Sequence, residues 1–219
     1  MLSKDEHINI TEVFKVSGII PVAVFSDIHR AVRTAGLLRS YSINVLEITL
    51  RTPDAFDCIK EVRRMYPDMC VGAGSVLSVD ALKKAVNCGA MFGVSPSLDM
   101  AVVDAAKEAA VPFVPGIATP SELLMSLNAG CTVIKIFPAV ELGGVPYIKA
   151  ITAPFKMMDF HLIPTGGVDE KNFTAFMAAD RVIACGASYP VHSTLVDTEK
   201  FDELEKRIAH IKELCNSLQ

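Results

Sequence analysis

The chain has 219 residues, 51% of them apolar, with 21 Lys+Arg against 25 Asp+Glu and a formal charge of -4. A mean hydropathy of +0.37 supplies ample apolar surface for a core and excludes a disordered chain. The acidic balance, with no basic run, argues against nucleic acid and anionic membrane as partners.

No apolar stretch reaches about 18 residues, so no membrane-crossing helix is expected. The start MLSKDEHINI carries acid where a secretory signal has its apolar segment, so a cytoplasmic protein is expected. Cys58, Cys70, Cys88, Cys131, Cys185 and Cys215 are scattered, with no CxxC and no neighbouring His. That pattern reads as buried reduced thiols rather than a disulfide framework or zinc site. His7, His29, His161, His192 and His210 show no HxH or HExxH spacing, so no dedicated metal site is expected.

Short runs rich in Val, Ile and Phe recur along the chain and predict strands at 19–25, 43–50, 69–76, 91–97, 112–119, 131–138, 161–168 and 181–188. Successive starts lie 19 to 30 residues apart, which leaves room for a return helix in every gap. Helix starts are predicted at Thr52-Pro53, at Ser78, at Asp169 and at Thr119-Pro120-Ser121-Glu122, the last with capping-box spacing. Gly89 and Gly130 stand where two helices should end. The tail 198–218 is helical by period, with Phe201, Leu204, Ile208, Ile211 and Leu214 on one stripe.

Eight strands alternating with helices, without a linker or a break in composition, predict a single α/β domain over residues 1–219. The expected fold is a (β/α)8 TIM barrel with an extra N-terminal helix. A doubly wound open sheet is the alternative, but it would want a glycine-rich turn where Phe25-Ser26-Asp27 stands. In a barrel, chemistry belongs at the C-terminal ends of the strands.

Polar residues interrupt several of these apolar runs. Lys135 lies in the sixth strand and by alternation shares a face with Val133 and Phe137, while Ile134 and Ile136 face the other way. A lysine stripped of its hydration favours the neutral amine, which attacks a ketone to form a Schiff base. The other reading is a side chain that snorkels out or pairs structurally with a carboxylate. Glu47 occupies a comparable place in the second strand; a carboxyl group among apolar neighbours suits proton shuttling. Alternatively it pairs with Arg51, whose planar guanidinium also suits a substrate carboxylate.

Gly72-Ala73-Gly74-Ser75 ends the third strand. It either lets backbone approach a ligand beside the Ser75 hydroxyl or, taken alone, forms an ordinary turn; it is no dinucleotide fingerprint. Thr165-Gly166-Gly167-Val168 and Cys185-Gly186-Ala187-Ser188 close the seventh and eighth strands, where barrels often hold phosphate.

Glu-Ile-Thr-Leu-Arg-Thr, Val-Gly-Ala-Gly-Ser-Val, Val-Pro-Gly-Ile-Ala-Thr-Pro-Ser-Glu, Ile-Lys-Ile-Phe-Pro-Ala and Pro-Thr-Gly-Gly-Val occur in this order. In them the chain resembles the bacterial class I 2-keto-3-deoxy-6-phosphogluconate (KDPG) aldolases, grouped with 4-hydroxy-2-oxoglutarate (KHG) aldolases. The resemblance runs from the first strand through Ser188. It implies a homotrimeric barrel that cleaves KDPG to pyruvate and glyceraldehyde 3-phosphate, needing neither metal nor organic cofactor.

By motif, the resemblance gives Lys135 the Schiff-base role and Glu47 that of general acid/base. Arg51 and Ser75, where the family usually has threonine, fall at the pyruvyl carboxylate. Pro96 and Phe137 match pocket walls. Thr165 lies in the same motif as Gly166 and Gly167, which match the phosphate site together with Ser188 beside Gly186. Three departures stand out: Ser97 for a family glycine, predicted to narrow the pocket mouth; Ala187 for another glycine, predicted to strain the phosphate loop if positive φ is needed there; and Tyr-Pro-Val at 189–191 for Trp-Leu-Val.

Three alternatives stay open at this level. One is a phosphosugar isomerase or epimerase using Glu47 as base, with Lys135 only an electrostatic stabiliser. Another is the aldolase specific for the phosphogalactonate-derived acid. The third is a non-catalytic barrel that binds a phosphorylated metabolite.

Overall fold

The computed structural model describes residues 9–218; most of the MLSKDEHINI start, His7 included, lies outside them. Helix α1 (Ile10–Ser17) starts where the Asn9 side chain accepts from the Glu12 N–H at 3.3 Å, and it stops where Gly18 turns left-handed. Nine strand segments follow: β1 (Ile19–Ala23), β2 (Val45–Thr49), β3 (Cys70–Gly74), β4 (Gly93–Val94), β5 (Phe113–Val114), β6 (Gly116–Ile117), β7 (Val133–Ile136), β8 (His161–Pro164) and β9 (Cys185–Ala187). The helices between and after them are α2 (Ile28–Ser40), α3 (Ala55–Met65), α4 (Val79–Asn87), α5 (Met100–Glu108), α6 (Pro120–Asn128), α7 (Gly144–Thr152), α8 (Phe173–Met177), α9 (Ser193–Asp197) and α10 (Phe201–Asn216).

All strand pairings are parallel, in the orders β5-β4-β3-β2-β1-β9 and β6-β7-β8. The two sheets are one barrel. On one side β5 and β6 are halves of a single strand, interrupted at Pro115, which has no N–H to give to a ladder. On the other side the bridges Leu162↔Val182 and Thr165↔Gly186 join β8 to the β9 strand. Counted this way there are eight strands among the described residues, as the sequence predicts.

Strand alternation splits the core in two. Leu46, Ile48, Ile134 and Ile136 point outward into the large layer shared with the helices. Ile20, Val45, Phe92, Val114, Val133 and Ile163 fill the barrel interior, together with Ile10 and Phe14 of α1. The Phe14 ring meets Phe92 edge-on, with centroids 5.2 Å apart and planes at 84°. The extra helix thus stoppers the N-terminal mouth of the barrel.

Several predicted boundaries shift for local reasons. Thr52 does not cap α3; its hydroxyl donates to the Phe25 carbonyl, and the helix begins after Asp54. Asp169 closes a turn by accepting from the Lys171 N–H at 2.9 Å, so α8 starts only at Phe173. Ser78 and Thr119 do cap, accepting from the N–H groups of Ala81 and Glu122. Glu122 reaches back to the Ala118 N–H at 2.8 Å, one residue earlier than a capping box has it. The tail forms one helix, α10, beginning at Phe201 rather than 198 after the short α9, and Cys215 rather than Leu214 completes the buried stripe. Gly72 and Gly74 are not turn residues; both lie inside β3.

Phe14→Ala should cost about 3–5 kcal/mol, because an unexposed ring leaves a cavity between α1 and the barrel floor. The expected result in urea is a lower unfolding midpoint at an unchanged slope.

Candidate active site

Alternation along β2 puts Val45, Glu47 and Thr49 on the barrel's inner face, and along β7 it does the same for Val133 and Lys135. Lys135 is 5% exposed and Glu47 3%, so neither side chain snorkels out. Lys135 Nζ lies 3.9 Å from Glu47 Oε1 and 5.2 Å from the centre of the Phe137 ring. At 3.9 Å the contact is one of charge without a direct hydrogen bond.

The glycines of β3 explain how the carboxylate gets there. A Cβ on Gly74 would stand 2.0 Å from Glu47 Oε1, and one on Gly72 would stand 2.3 Å from the Phe92 ring. With no side chain at Gly72 or Gly74, Phe92 packs low in the barrel and Glu47 leans across above it.

Arg51 does not pair with Glu47. Exposed at the mouth, it donates from Nε to Ser75 Oγ at 3.2 Å, and Ser75 itself sits at φ +55°. A cleft of about 460 Å³ opens there, at the C-terminal ends of the strands. Of the residues singled out in the sequence, Lys135, Arg51, Phe137, Thr165, Gly166, Gly167, Gly186 and Ser188 line it. Glu47 meets it through Lys135, and Ser75 through Arg51.

Pro96 is not in the cleft wall. Its carbonyl packs so tightly on Gly116 that a Cβ there would lie 2.4 Å away. Ser97 is exposed and does not narrow the mouth. Ala187 sits in β9 with ordinary extended backbone, so the strain predicted for it does not arise; the positive φ angles fall on Gly166 and Gly167.

Thr49, Asp169, Tyr189 and His192 also line the cleft and were not among the candidate site residues, although Asp169 was read as a helix start and Tyr189 as a departure from the family. Thr49 was within reach of the alternation that exposed Glu47, two residues earlier on the same face. The other three lie on connections after β8 and β9, where no periodicity announces a side chain's direction. Tyr189 donates its phenol to Glu170 Oε2, its ring lies 5.0 Å from the Arg207 guanidinium, and His210 Nε2 approaches the same Glu170 oxygen at 3.9 Å. Among the described residues, no three His, Cys, Asp or Glu side chains converge as metal ligands.

Fold and site together define a barrel with a buried amine and carboxyl group at its catalytic mouth, and the comparisons agree with that class. The sequence profile described as "KDPG and KHG aldolase" matches residues 10–207, and the chain belongs to this family. It is 36% identical over 188 residues to the KHG/KDPG aldolase of Escherichia coli (strain K12), covering 86% of this chain and 87% of that one. To the 2-dehydro-3-deoxy-phosphogluconate aldolase of Pseudoalteromonas atlantica it is 34% identical over 203 residues, 93% of this chain and 94% of that one. Among solved structures, the KDPG aldolase of Legionella pneumophila, with pyruvate captured at low pH as a covalent carbinolamine intermediate, superposes with a TM-score of 0.86. It is 32% identical, over 97% of this chain and 98% of that one.

Burial and the bond to Glu170 push the Tyr189 phenol up to about 12 from 10.0. Because the folded value is the higher, the stabilisation is complete below pH 10 and is lost as the pH rises toward 12. A phenolate absorbance titration, taken as the difference from Tyr189→Phe, should place this group well above a free tyrosine, and Glu170→Gln should bring it down.

Proposed function

We propose that this protein is a class I aldolase that cleaves KDPG to pyruvate and glyceraldehyde 3-phosphate and also accepts KHG, which presents the same 2-keto acid head. The observation that carries this reading is the buried Lys135 amine 3.9 Å from the Glu47 carboxylate, facing a cleft at the strand ends.

In this reaction the unprotonated Lys135 amine adds to the C2 carbonyl, giving a carbinolamine. Glu47 donates a proton to the departing C2 hydroxyl, water leaves, and an iminium forms. That cation draws the C3–C4 bonding pair toward nitrogen as the C4 hydroxyl gives its proton to Glu47. The aldehyde departs and leaves an enamine. Protonation at C3 and addition of water then release pyruvate and the free amine. General acid–base help of this kind contributes about 10²–10⁴-fold in rate.

Arg51, steadied by Ser75, holds the C1 carboxylate in a planar two-pronged grip. Thr165, Gly166, Gly167, Gly186 and Ser188, at the other end of the cleft, receive the phosphate, with Phe137 walling the middle. Pro96 packs by its carbonyl on Gly116, which is in register with Lys135 across β6 and β7. On the family resemblance we place the enzyme in the cytoplasm, as a homotrimer of single-domain barrels. None of the described helices is long and apolar enough to cross a membrane.

Pyruvate plus borohydride should leave a stable adduct on Lys135, located by peptide mass, and Lys135→Ala should abolish cleavage while the far-ultraviolet spectrum stays that of a folded barrel. An unmodified Lys135 at saturating pyruvate would overturn the proposal. Release of a rearranged sugar phosphate with no pyruvate would instead establish the isomerase.

Gly74→Ala tests Glu47 without touching its chemistry. The added methyl must displace the carboxylate, the flexible partner in the clash, so turnover should fall about 10–100-fold, within the range general acid–base catalysis supplies. Unfolding temperature should change little, and unchanged turnover would remove Glu47 from the mechanism.

A further inference from the structure

Three buried side-chain hydroxyls lack a hydrogen-bond partner among the described residues: those of Thr34, Thr49 and Ser126. Thr34 and Ser126 sit on α2 and α6, and neither lines the cleft. Thr49 does line it, although the residue is only 1% exposed. Thr165, the other buried threonine in the cleft wall, differs in having a partner, the Ile163 carbonyl at 3.4 Å.

A hydroxyl brings one donor and two acceptor positions, and burying it unpaired lowers stability. Valine has nearly the same shape, favours strands as strongly and carries no such penalty. Thr49 therefore gains from its hydroxyl only when something entering the cleft pairs with it.

Its neighbours indicate what that is. Across β3, Thr49 is in register with Gly74, the residue whose missing side chain gives Glu47 Oε1 its place. Its hydroxyl is thus level with the carboxylate that lies 3.9 Å from Lys135 Nζ. Two residues further along the chain, past the end of β2, comes Arg51, bonded to Ser75. The site between an amine that attacks a ketone carbon and a guanidinium that grips a carboxylate is where the oxygens of a 2-keto acid head must lie.

Building on the aldolase reading, we propose that Thr49 is a further substrate-contacting residue, its hydroxyl donating to an oxygen at the C1–C2 head of the bound 2-keto acid.

The test compares Thr49→Val, which removes the hydroxyl and keeps the shape, with Thr49→Ser, which keeps the hydroxyl. Loss of one hydrogen bond to a charged head should lower kcat/KM for KDPG about tenfold or more in the valine variant. It should raise the pyruvate concentration that half-saturates borohydride trapping by a similar factor, and the serine variant should recover most of both.

Because the contact is to the head alone, the ratio of kcat/KM for KDPG to that for its unphosphorylated counterpart should stay as in the wild type. The valine variant should melt no lower than the wild type. Trapping and cleavage within twofold of wild type, a changed phosphate ratio, or a lowered melting temperature would each overturn the inference. Wild-type protein that forms no adduct with pyruvate at all would instead count against the aldolase reading, so the two failures are distinguishable.

Discussion

The structure turns on a lysine and a glutamate taken out of water together. Each ion pays a desolvation penalty of several kcal/mol on burial, and a pair offsets it only with tight geometry and further hydrogen bonds. Here the geometry is loose: the nearest approach is 3.9 Å, and no direct hydrogen bond joins the two groups. An arrangement selected for stability alone would close that gap or replace both residues with apolar ones. The separation instead leaves the two groups without a hydrogen bond to each other, so neither is tied up by its neighbour. On the proposed function, this proximity lets the attacking amine and the proton-moving carboxyl group act at one carbon without reorganising.

The barrel makes the pair possible by dividing its interior into tiers. The lower tier is apolar throughout, stoppered by Phe14 and Ile10 from α1. Above it the inward positions become Glu47, Thr49 and Lys135, and β3 contributes glycine at Gly72 and Gly74. Those two glycines divide the labour: Gly72 admits the Phe92 ring that tops the apolar tier, and Gly74 admits the carboxylate above it. A single β3 side chain at either place would drive one tier into the other.

Much of this was legible in the sequence, because its cause is periodic. Two-residue alternation separates Val133 and Lys135 from Ile134 and Ile136, and the observed cores divide along that line. The strands fall within their predicted ranges because Val-, Ile- and Phe-rich runs recur at a spacing that leaves room for return helices. Where the cause is a neighbour distant in the chain, the sequence was mute or misleading. Gly72 and Gly74 look like turn residues until Phe92 and Glu47 are seen pressing on them. Thr52 has the local signature of a helix cap, yet its hydroxyl is engaged by the Phe25 carbonyl. Pro96 matched a pocket wall by motif, but its carbonyl faces Gly116. Thr49 was overlooked for another reason: a threonine in a strand draws no notice, and only its missing partner sets it apart.

The two ends of the cleft are built on different principles, and the difference bears on how substrate choice varies in such a site. The head end rests on side chains of regular strands, locked by cross-strand register: Glu47 against Gly72 and Lys135 against Ile163. A change there disturbs several contacts at once. The distal end rests on connections after β8 and β9, where Gly166 and Gly167 adopt positive φ and Tyr189 is braced by Glu170 and Arg207 rather than by the sheet. Such segments tolerate substitution, and Tyr189 is accommodated there, whereas Ala187 is the last residue of β9 and fits because its backbone is extended. On the proposed function, chemistry common to all 2-keto acids is set in the rigid tier and discrimination among their tails falls to the loops, where Asp169, Tyr189 and His192 line the cleft.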